Sequence, residues 1–241
     1  MISDTDWSLP NEKAIMAEQL RYYRERAGEY DEWFLRKGRY NHGAKENAQW
    51  FSEIHFLEKK LDEFGPKGRI LEIACGTGFW TQKLLRYSHE ITALDASEEA
   101  ITMNREKCTP HHPDYLVADI FSWRPIESYD VVFFSFWLSH VPPGLFADFW
   151  NLVRSCISED GRVFFIDSSS SQRHYTEVHK FPCPARNEYI VGRRLNSGRT
   201  FRIIKVRFEP ENLSENLLEL GWNISVFETQ EYFIFGYGNP M

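Results

Sequence analysis

The stretch from Arg69 to Trp80, R-I-L-E-I-A-C-G-T-G-F-W, constrains this chain more than any other. Ile70, Leu71, Ile73 and Ala74 read as a short apolar strand. Cys75-Gly76-Thr77-Gly78 reads as a tight turn, and Phe79 to Tyr87 as the helix that follows. A strand, a glycine turn and a helix N-terminus make a site for a nucleotide-like ligand. Glycines let the backbone approach closely, and exposed N–H groups favour negative charge. Glu72 falls inside the strand, where a carboxylate is rare without a partner, so it points to a cationic or donor-rich ligand.

Spacing narrows the kind of nucleotide. The dinucleotide fingerprint G-x-G-x-x-G has glycine or alanine at its third position, which allows close helix–strand packing. Here Gly76 and Gly78 are present, but Thr81 fills the third position, which weakens a pyrophosphate site. A second strand, Ile91 to Leu94, ends at Asp95, 19 positions after Gly76. A βαβ unit places a carboxylate there to accept hydrogen bonds from ribose hydroxyls. Ser97 caps the next helix, with Glu98 and Glu99 in its first turn. Tyr115 to Ala118 is a third strand, followed by Asp119-Ile120. Asp130 to Phe134 is a fourth, running into Ser135-Phe136-Trp137, and Arg162 to Ile166 is a fifth, ending at Asp167. Strands alternating with helical stretches predict a parallel, doubly wound α/β sheet with ligands at the strands' carboxyl ends.

E-I-A-C-G-T-G-F resembles the first motif of class I S-adenosylmethionine-dependent methyltransferases, and the resemblance runs from Arg69 to Asp167. It implies S-adenosylmethionine as cofactor and a Rossmann-like, mostly parallel seven-stranded sheet with an antiparallel edge pair. It also implies that Glu72 lies near the cofactor's methionine part, with the glycine turn running beneath. Asp119 would meet the adenine amino group and Ile120 would pack on the ring. Ala74, Thr77, Ala96, Ser135 and Phe136 join Gly76, Gly78 and Asp95 in the expected cofactor set, and Tyr30 is expected to cover it. No metal is expected.

Composition limits the partners. Net charge is −7 and the sequence pI is about 5.7, which disfavours broad nucleic-acid binding. The asparagine-proline tetrad of nucleic-acid amino methylases is absent after the fourth strand, where Ser135-Phe136-Trp137-Leu138 stands instead. A small-molecule acceptor is therefore expected, planar and aromatic in the preferred reading, methylated on oxygen or nitrogen. No run approaches the roughly twenty apolar residues that span a bilayer, and the acidic opening lacks an apolar signal core, so a cytoplasmic protein is expected. Cys75, Cys108, Cys156 and Cys183 have no C-x-x-C spacing and read as reduced thiols.

Residues 1–43 are expected as a lead-in and helical lid, 44–241 as the methyltransferase domain, and 168–199 as a substrate-side insertion. Ala14 to Arg26 reads as a helix punctuated by Gly28. Glu29 to Gly43 follows, rich in aromatics, either as a lid or as a surface segment packed on the sheet. Ala44 to Phe64 is a second helix, ended by Gly65-Pro66. Strands at Glu188–Leu195 and Thr200–Phe208, joined by Asn196-Ser197-Gly198, predict a β-hairpin inside or beside the insertion. Pro210 to Leu220 reads as a helix with Gly221 after it, and Ile224–Phe227 and Tyr232–Phe235 as the last strands. The loop Ser135 to Pro143 carries His140, the candidate general base or substrate-orienting donor, or simply a backbone-bonding loop residue. Two other function classes fit the topology: an NAD-dependent oxidoreductase, against which Thr81 and Glu72 argue, and a non-catalytic cofactor-binding protein.

Overall fold

A computed structural model describes residues 12–170 and 189–241. Residues 189–195 of the strand expected at 188–195 lie within them, whereas Glu188, Cys183, residues 1–11 and most of the 168–199 insertion lie outside them. The helices are α1 (Glu12–Phe34), α2 (Ala44–Phe64), α3 (Thr81–Leu84), α4 (Glu98–Lys107), α5 (Phe146–Cys156) and α6 (Pro210–Glu219). The strands are β1 (Ile70–Ile73), β2 (Ile91–Asp95), β3 (Asp114–Val117), β4 (Tyr129–Ser135), β5 (Ile157–Ser168), β6 (Ile190–Arg194), β7 (Thr200–Ile204), β8 (Trp222–Glu228) and β9 (Phe233–Pro240).

Seven strands form one sheet in the order β3-β2-β1-β4-β5-β9-β8, while β6 and β7 pair separately as an antiparallel hairpin. Strands β1 to β5 run parallel, and β9 joins β5 and β8 antiparallel. The Rossmann-like sheet with its antiparallel edge is therefore as the motif spacing and resemblance imply. Chain order reverses between β1 and β4, whose carboxyl ends open a crevice for ligands.

Alternation along the central strands sorts the core into two layers. Phe133 and Phe164 face α2, packing with Trp50, Leu57, Leu61 and Phe64. Phe134 and Phe165 face the opposite side, where Phe149 and Trp150 of α5, Leu213 and Leu217 of α6, and Trp222 lie. Both layers are dry, with Phe133, Phe134, Phe164 and Phe165 each at 0% exposure. Fully burying one such ring is worth about 1.5–3 kcal/mol, so these residues anchor the sheet.

Several bounds differ from the sequence expectation. α1 does not stop near Gly28 but continues to Phe34, because Trp33 and Phe34 bury there and outweigh glycine's helix cost of about 1 kcal/mol. The Glu29–Gly43 segment is thus helix as far as Phe34, followed by a short 3-10 turn at Gly38–Tyr40. α3 is short, since tighter bonds, Arg86 N–H to Lys83 O and Tyr87 N–H to Leu84 O, replace its last turn. β5 begins at Ile157, pairing with Tyr129 before a register shift, and the polar Ser158 to Gly161 stretch hid that start. β9 runs past the expected end at Phe235, through Gly236 and Gly238, because it pairs on both sides with β5 and β8. No helix among the described residues is long and apolar enough to cross a membrane.

Candidate active site

The glycine turn after β1 is built on a buried polar network. Glu72, 1% exposed, accepts a hydrogen bond from the Thr81 hydroxyl at 2.6 Å. Asn104 of α4 donates to the same Thr81 oxygen at 2.8 Å and to the Gly76 carbonyl at 3.3 Å. Burial pushes the Glu72 carboxyl up to about 8, with Thr81 pulling it down and Asp95 adding to the rise. A β-carbon on Gly78 would fall 2.7 Å from the Asn104 side chain, so Gly78 admits α4. Gly76, at φ +53°, would place a β-carbon in open space, so there it is the backbone conformation that selects glycine.

Two non-glycine residues share this left-handed conformation at the carboxyl ends of the central strands: Ala74 after β1 (φ 54°) and Phe136 after β4 (φ 53°). For a bulky residue this geometry costs on the order of 1–3 kcal/mol and persists only where its surroundings over-determine it. Phe136 is held by a perpendicular contact with Trp33, centroids 5.0 Å apart, and by Phe233 at 5.8 Å. Both strained residues line one cavity of about 360 Å³.

That cavity brings together Tyr30, Ala74, Gly76, Thr77, Asp95, Ala96, Asp119, Ile120, Ser135, Phe136 and His140. Glu72 and Gly78 do not line it; they support the turn from behind. Asp95 accepts from the backbone N–H of Gly76 at 2.9 Å and of Ser97 at 2.8 Å. Burial raises its pKa, and those bonds hold the rise back. Asp119 accepts from the Phe121 N–H at 3.0 Å, while its neighbour Ile120 is buried. Cys75, Cys108 and Cys156 are free buried thiols, and no group of three or more His, Cys, Asp or Glu among the described residues could hold a metal ion.

α1 supplies the wall that the motifs did not reveal. Gln19, Leu20, Tyr23 and Ala27 line the cavity with Tyr30. Tyr23 and Tyr30 are seven residues apart and so share a helix face. That spacing was a usable sequence signal, but an aromatic pair at helical spacing reads equally as core. Arg24 donates to the Ala96 carbonyl at 3.1 Å, joining α1 to the end of β2.

His140 is buried in a short 3-10 turn, Leu138–His140. Its Nδ1 lies 2.6 Å from the Ile204 carbonyl and its Nε2 lies 2.7 Å from the Tyr23 hydroxyl. Burial, reinforced by the positive charge of Lys205, lowers its pKa to about 3. Behind it Asp167 accepts from the Ser139 N–H at 2.9 Å and Oγ at 2.8 Å, and pairs with Lys205 at 3.2 Å. Burial opposes the charge on Asp167, but Lys205 and the two bonds from Ser139 outweigh it and hold its carboxyl below the ordinary value.

Comparison with known proteins adds to this geometry. Residues 70–175 match a family described as a methyltransferase domain. The structure aligns with a DhpI–SAM–HEP complex at a TM-score of 0.79 and 33% identity, covering 96% of this chain and 100% of that one. A DhpI–SAH complex aligns at 0.77 and 32%, covering 95% and 98%. The chain belongs to the class I S-adenosylmethionine-dependent methyltransferases. Among curated sequences, the malonyl-[acyl-carrier protein] O-methyltransferase of Bacillus cereus is 31% identical over 61% of this chain. The chain spans 56% of that methyltransferase, and 38% of the malonyl-[acyl-carrier protein] O-methyltransferase 1 of Ilyobacter polytropus, to which it is 30% identical over 39% of its own length.

The family's cofactor is S-adenosylmethionine, and the cavity residues fit it. The floor over Gly76 is open, the Asp95 carboxylate stands at the end of β2 where a ribose would lie, and Ile120 offers an apolar face beside Asp119.

Proposed function

We propose that this methyltransferase acts on a small molecule, adding a methyl group to an oxygen or nitrogen of a planar aromatic acceptor. The observation that carries the reading is the continuity of one cavity from Asp95 and Asp119 to Tyr23, Tyr30, Phe136, Trp137 and His140. The Asp95–Asp119 end suits the adenosyl group, and the aromatic end suits a flat acceptor body. S-adenosylmethionine supplies a methyl group already activated on a sulfonium, and its transfer is an in-line displacement in which alignment and desolvation supply much of the acceleration.

In this reading the chain's own residues do four things. Asp95 binds the cofactor's ribose hydroxyls, and Asp119 and Ile120 hold the adenine. Tyr30 and Phe136 place ring faces near the site, which suits a cation. The α1 wall excludes water. His140 stands in the loop after β4 as the candidate base or acceptor-orienting donor, its ring held between Ile204 of β7 and Tyr23 of α1.

A second acceptor class, a small carboxylic acid, is favoured by the cationic Lys13 in the cavity wall. The O-methyltransferase relatives agree with it.

A screen with methyl-labelled S-adenosylmethionine against phenols, aromatic amines and small carboxylic acids separates the two. Label in a phenol or aromatic amine supports the first reading. Label only in the acids moves the proposal to the second. Tyr30→Ala should then impair turnover far more than it impairs binding of S-adenosylhomocysteine; equal losses would place the acceptor elsewhere.

A further inference from the structure

The apolar residues of α1 divide at Gly28. On its C-terminal side Trp33 and Phe34 bury in the layer between the sheet and α2. On its N-terminal side Ile15 packs with Ile190 and Ile204, and Tyr22 with Leu195, Phe201 and Ile203, so both clusters join α1 to the β6–β7 hairpin. Polar bonds follow the same seam. The Tyr189 hydroxyl donates to Glu12 at 2.8 Å, Arg202 pairs with Glu18 at 2.8 Å, and Arg199 pairs with Glu25 at 2.7 Å. At the hairpin tip, Asn196 donates its backbone N–H to Glu29 at 2.9 Å and its side-chain amide to Glu32 at 3.1 Å, just past the glycine. Met16, Leu20, Tyr23 and Ala27, on one helical face, line the cavity, so this unit of helix and hairpin roofs the site.

The bonds that fix the far end of the unit converge on the loop after β4. His140 stands between its two parts, with Nδ1 2.6 Å from the Ile204 carbonyl of β7 and Nε2 2.7 Å from the Tyr23 hydroxyl of α1. A carbonyl can only accept, so the ring hydrogen is assigned to Nδ1 and Nε2 accepts from Tyr23. A neutral imidazole has one donor and one acceptor, and each engages a different half of the unit. Gln19 donates to the His140 carbonyl at 3.2 Å and accepts from the Ile204 N–H at 2.9 Å, and the Val206 N–H donates to the Ser139 carbonyl at 2.7 Å. Ser139 is tied in turn to β5 through Asp167.

We propose that α1 up to Gly28 and the β6–β7 hairpin swing as one lid over the cofactor cavity, pivoting at Gly28 and the Asn196 tip, and that His140 is a positioning residue, the catch that holds this lid shut. The proposal rests on the cavity being the cofactor's and on no choice of acceptor. It concerns opening and closing, and assigns no proton step. Gly28 suits a pivot. It is exposed, a β-carbon there would meet nothing within 4 Å, and glycine is among the weakest residues in a helix interior.

The test is release of S-adenosylhomocysteine, followed by stopped-flow tryptophan fluorescence, together with hydrogen–deuterium exchange read by mass spectrometry. No variant below alters a tryptophan, so each keeps both signals. Tyr23→Phe removes one of the two ring bonds and should quicken release roughly threefold to tenfold. His140→Phe keeps a ring but removes both, and should quicken release roughly tenfold to a hundredfold. His140→Gln, whose amide offers one donor and one acceptor, should bring release back toward the wild-type rate. Gly28→Ala stiffens the pivot and should act in the opposite direction, slowing release roughly threefold to fivefold. In Tyr23→Phe and His140→Phe the amides of 12–27 and 190–204 should exchange faster together, while those of α2 and α5 stay at the wild-type rate.

A histidine acting on the acceptor alone would leave release and exchange unchanged, and a merely structural one would loosen α2 and α5 along with the roof; either result overturns the catch. Faster exchange in 12–27 without 190–204 overturns the single lid, and an unchanged release rate in Gly28→Ala overturns the pivot. Should His140→Phe not fold, Tyr23→Phe and Gly28→Ala carry the decision. Wild type that does not bind S-adenosylhomocysteine would refute the cofactor reading of the cavity, and the lid with it.

Discussion

The Thr77 hydroxyl donates to the Asp31 carboxylate at 2.6 Å, fastening α1 to the glycine turn. The other Asp31 oxygen meets Lys107 of α4 at 2.5 Å, so a single carboxylate joins three elements around the cavity. Asp31→Ala should loosen this wall. The pair is about a quarter exposed, so its loss is worth only about 1 kcal/mol. Release of S-adenosylhomocysteine should quicken by roughly threefold to tenfold, measured by stopped-flow tryptophan fluorescence. An unchanged release rate would mean that α1 does not gate the cofactor.

The two glycines of the turn should fail differently when substituted. In Gly78→Ala the new methyl meets Asn104 at 2.7 Å, at a φ of +91°. Strain and overpacking together cost about 2–4 kcal/mol, a fall in Tm of roughly 5–12 °C. In Gly76→Ala the methyl meets nothing within 4 Å, so only the cost of its φ remains, about 1 kcal/mol. Thermal unfolding of the two variants should separate them clearly, and equal losses of Tm would refute this assignment of roles.

S-adenosylmethionine and S-adenosylhomocysteine should raise Tm, since they bind only the folded state, and NAD should not. Asp95→Ala should lower S-adenosylhomocysteine affinity about tenfold to a hundredfold through loss of charge-assisted bonds to the ribose. It should also lower the Tm of the free protein, because the Gly76 and Ser97 N–H groups lose their acceptor. A folded variant with undiminished affinity in calorimetry would make Asp95 a structural cap alone.

Two buried groups give the stability of the free protein a distinctive dependence on pH. The Glu72 carboxyl is raised to about 8 in the folded chain. Its protonated form contributes stability that is fully present below the unfolded pKa of about 4.3 and is lost as pH rises through 8. His140 is lowered to about 3, so its contribution is present above about 6.5 and is lost as pH falls toward 3. The opposing slopes offset each other between about 4.3 and 6.5, and Glu72 acts alone above that. Tm should therefore decline from pH 6.5 to 8.5 in the wild type, and Glu72→Gln should flatten the decline. A Glu72→Gln curve parallel to the wild type would show that Glu72 is ionised in the fold throughout.

The glycine turn, the acid ending β2, and the succession of five strands along the chain were legible because each is a local pattern. A strand, a two-glycine turn and a carboxylate 19 residues later leave few topologies open. Local patterning also placed α2 at Ala44–Phe64 and the Ser97 cap, whose hydroxyl accepts from the Ala100 N–H at 3.1 Å. What tertiary structure decided was the rest of the cavity. Nothing local separates Tyr23 from the core-packed Tyr22 beside it; only the approach of the loop after β4 turns one toward His140 and buries the other against Phe201. Glu72 read as a ligand contact because a buried carboxylate demands a partner, and the partner proved to be Thr81, brought beneath it by the turn. His140 likewise stood out as the titratable group of its loop, but its tautomer and its lowered pKa come from Ile204 and Lys205, far along the chain. Periodicity and spacing act through near neighbours, whereas burial and hydrogen-bond direction depend on which distant segments meet.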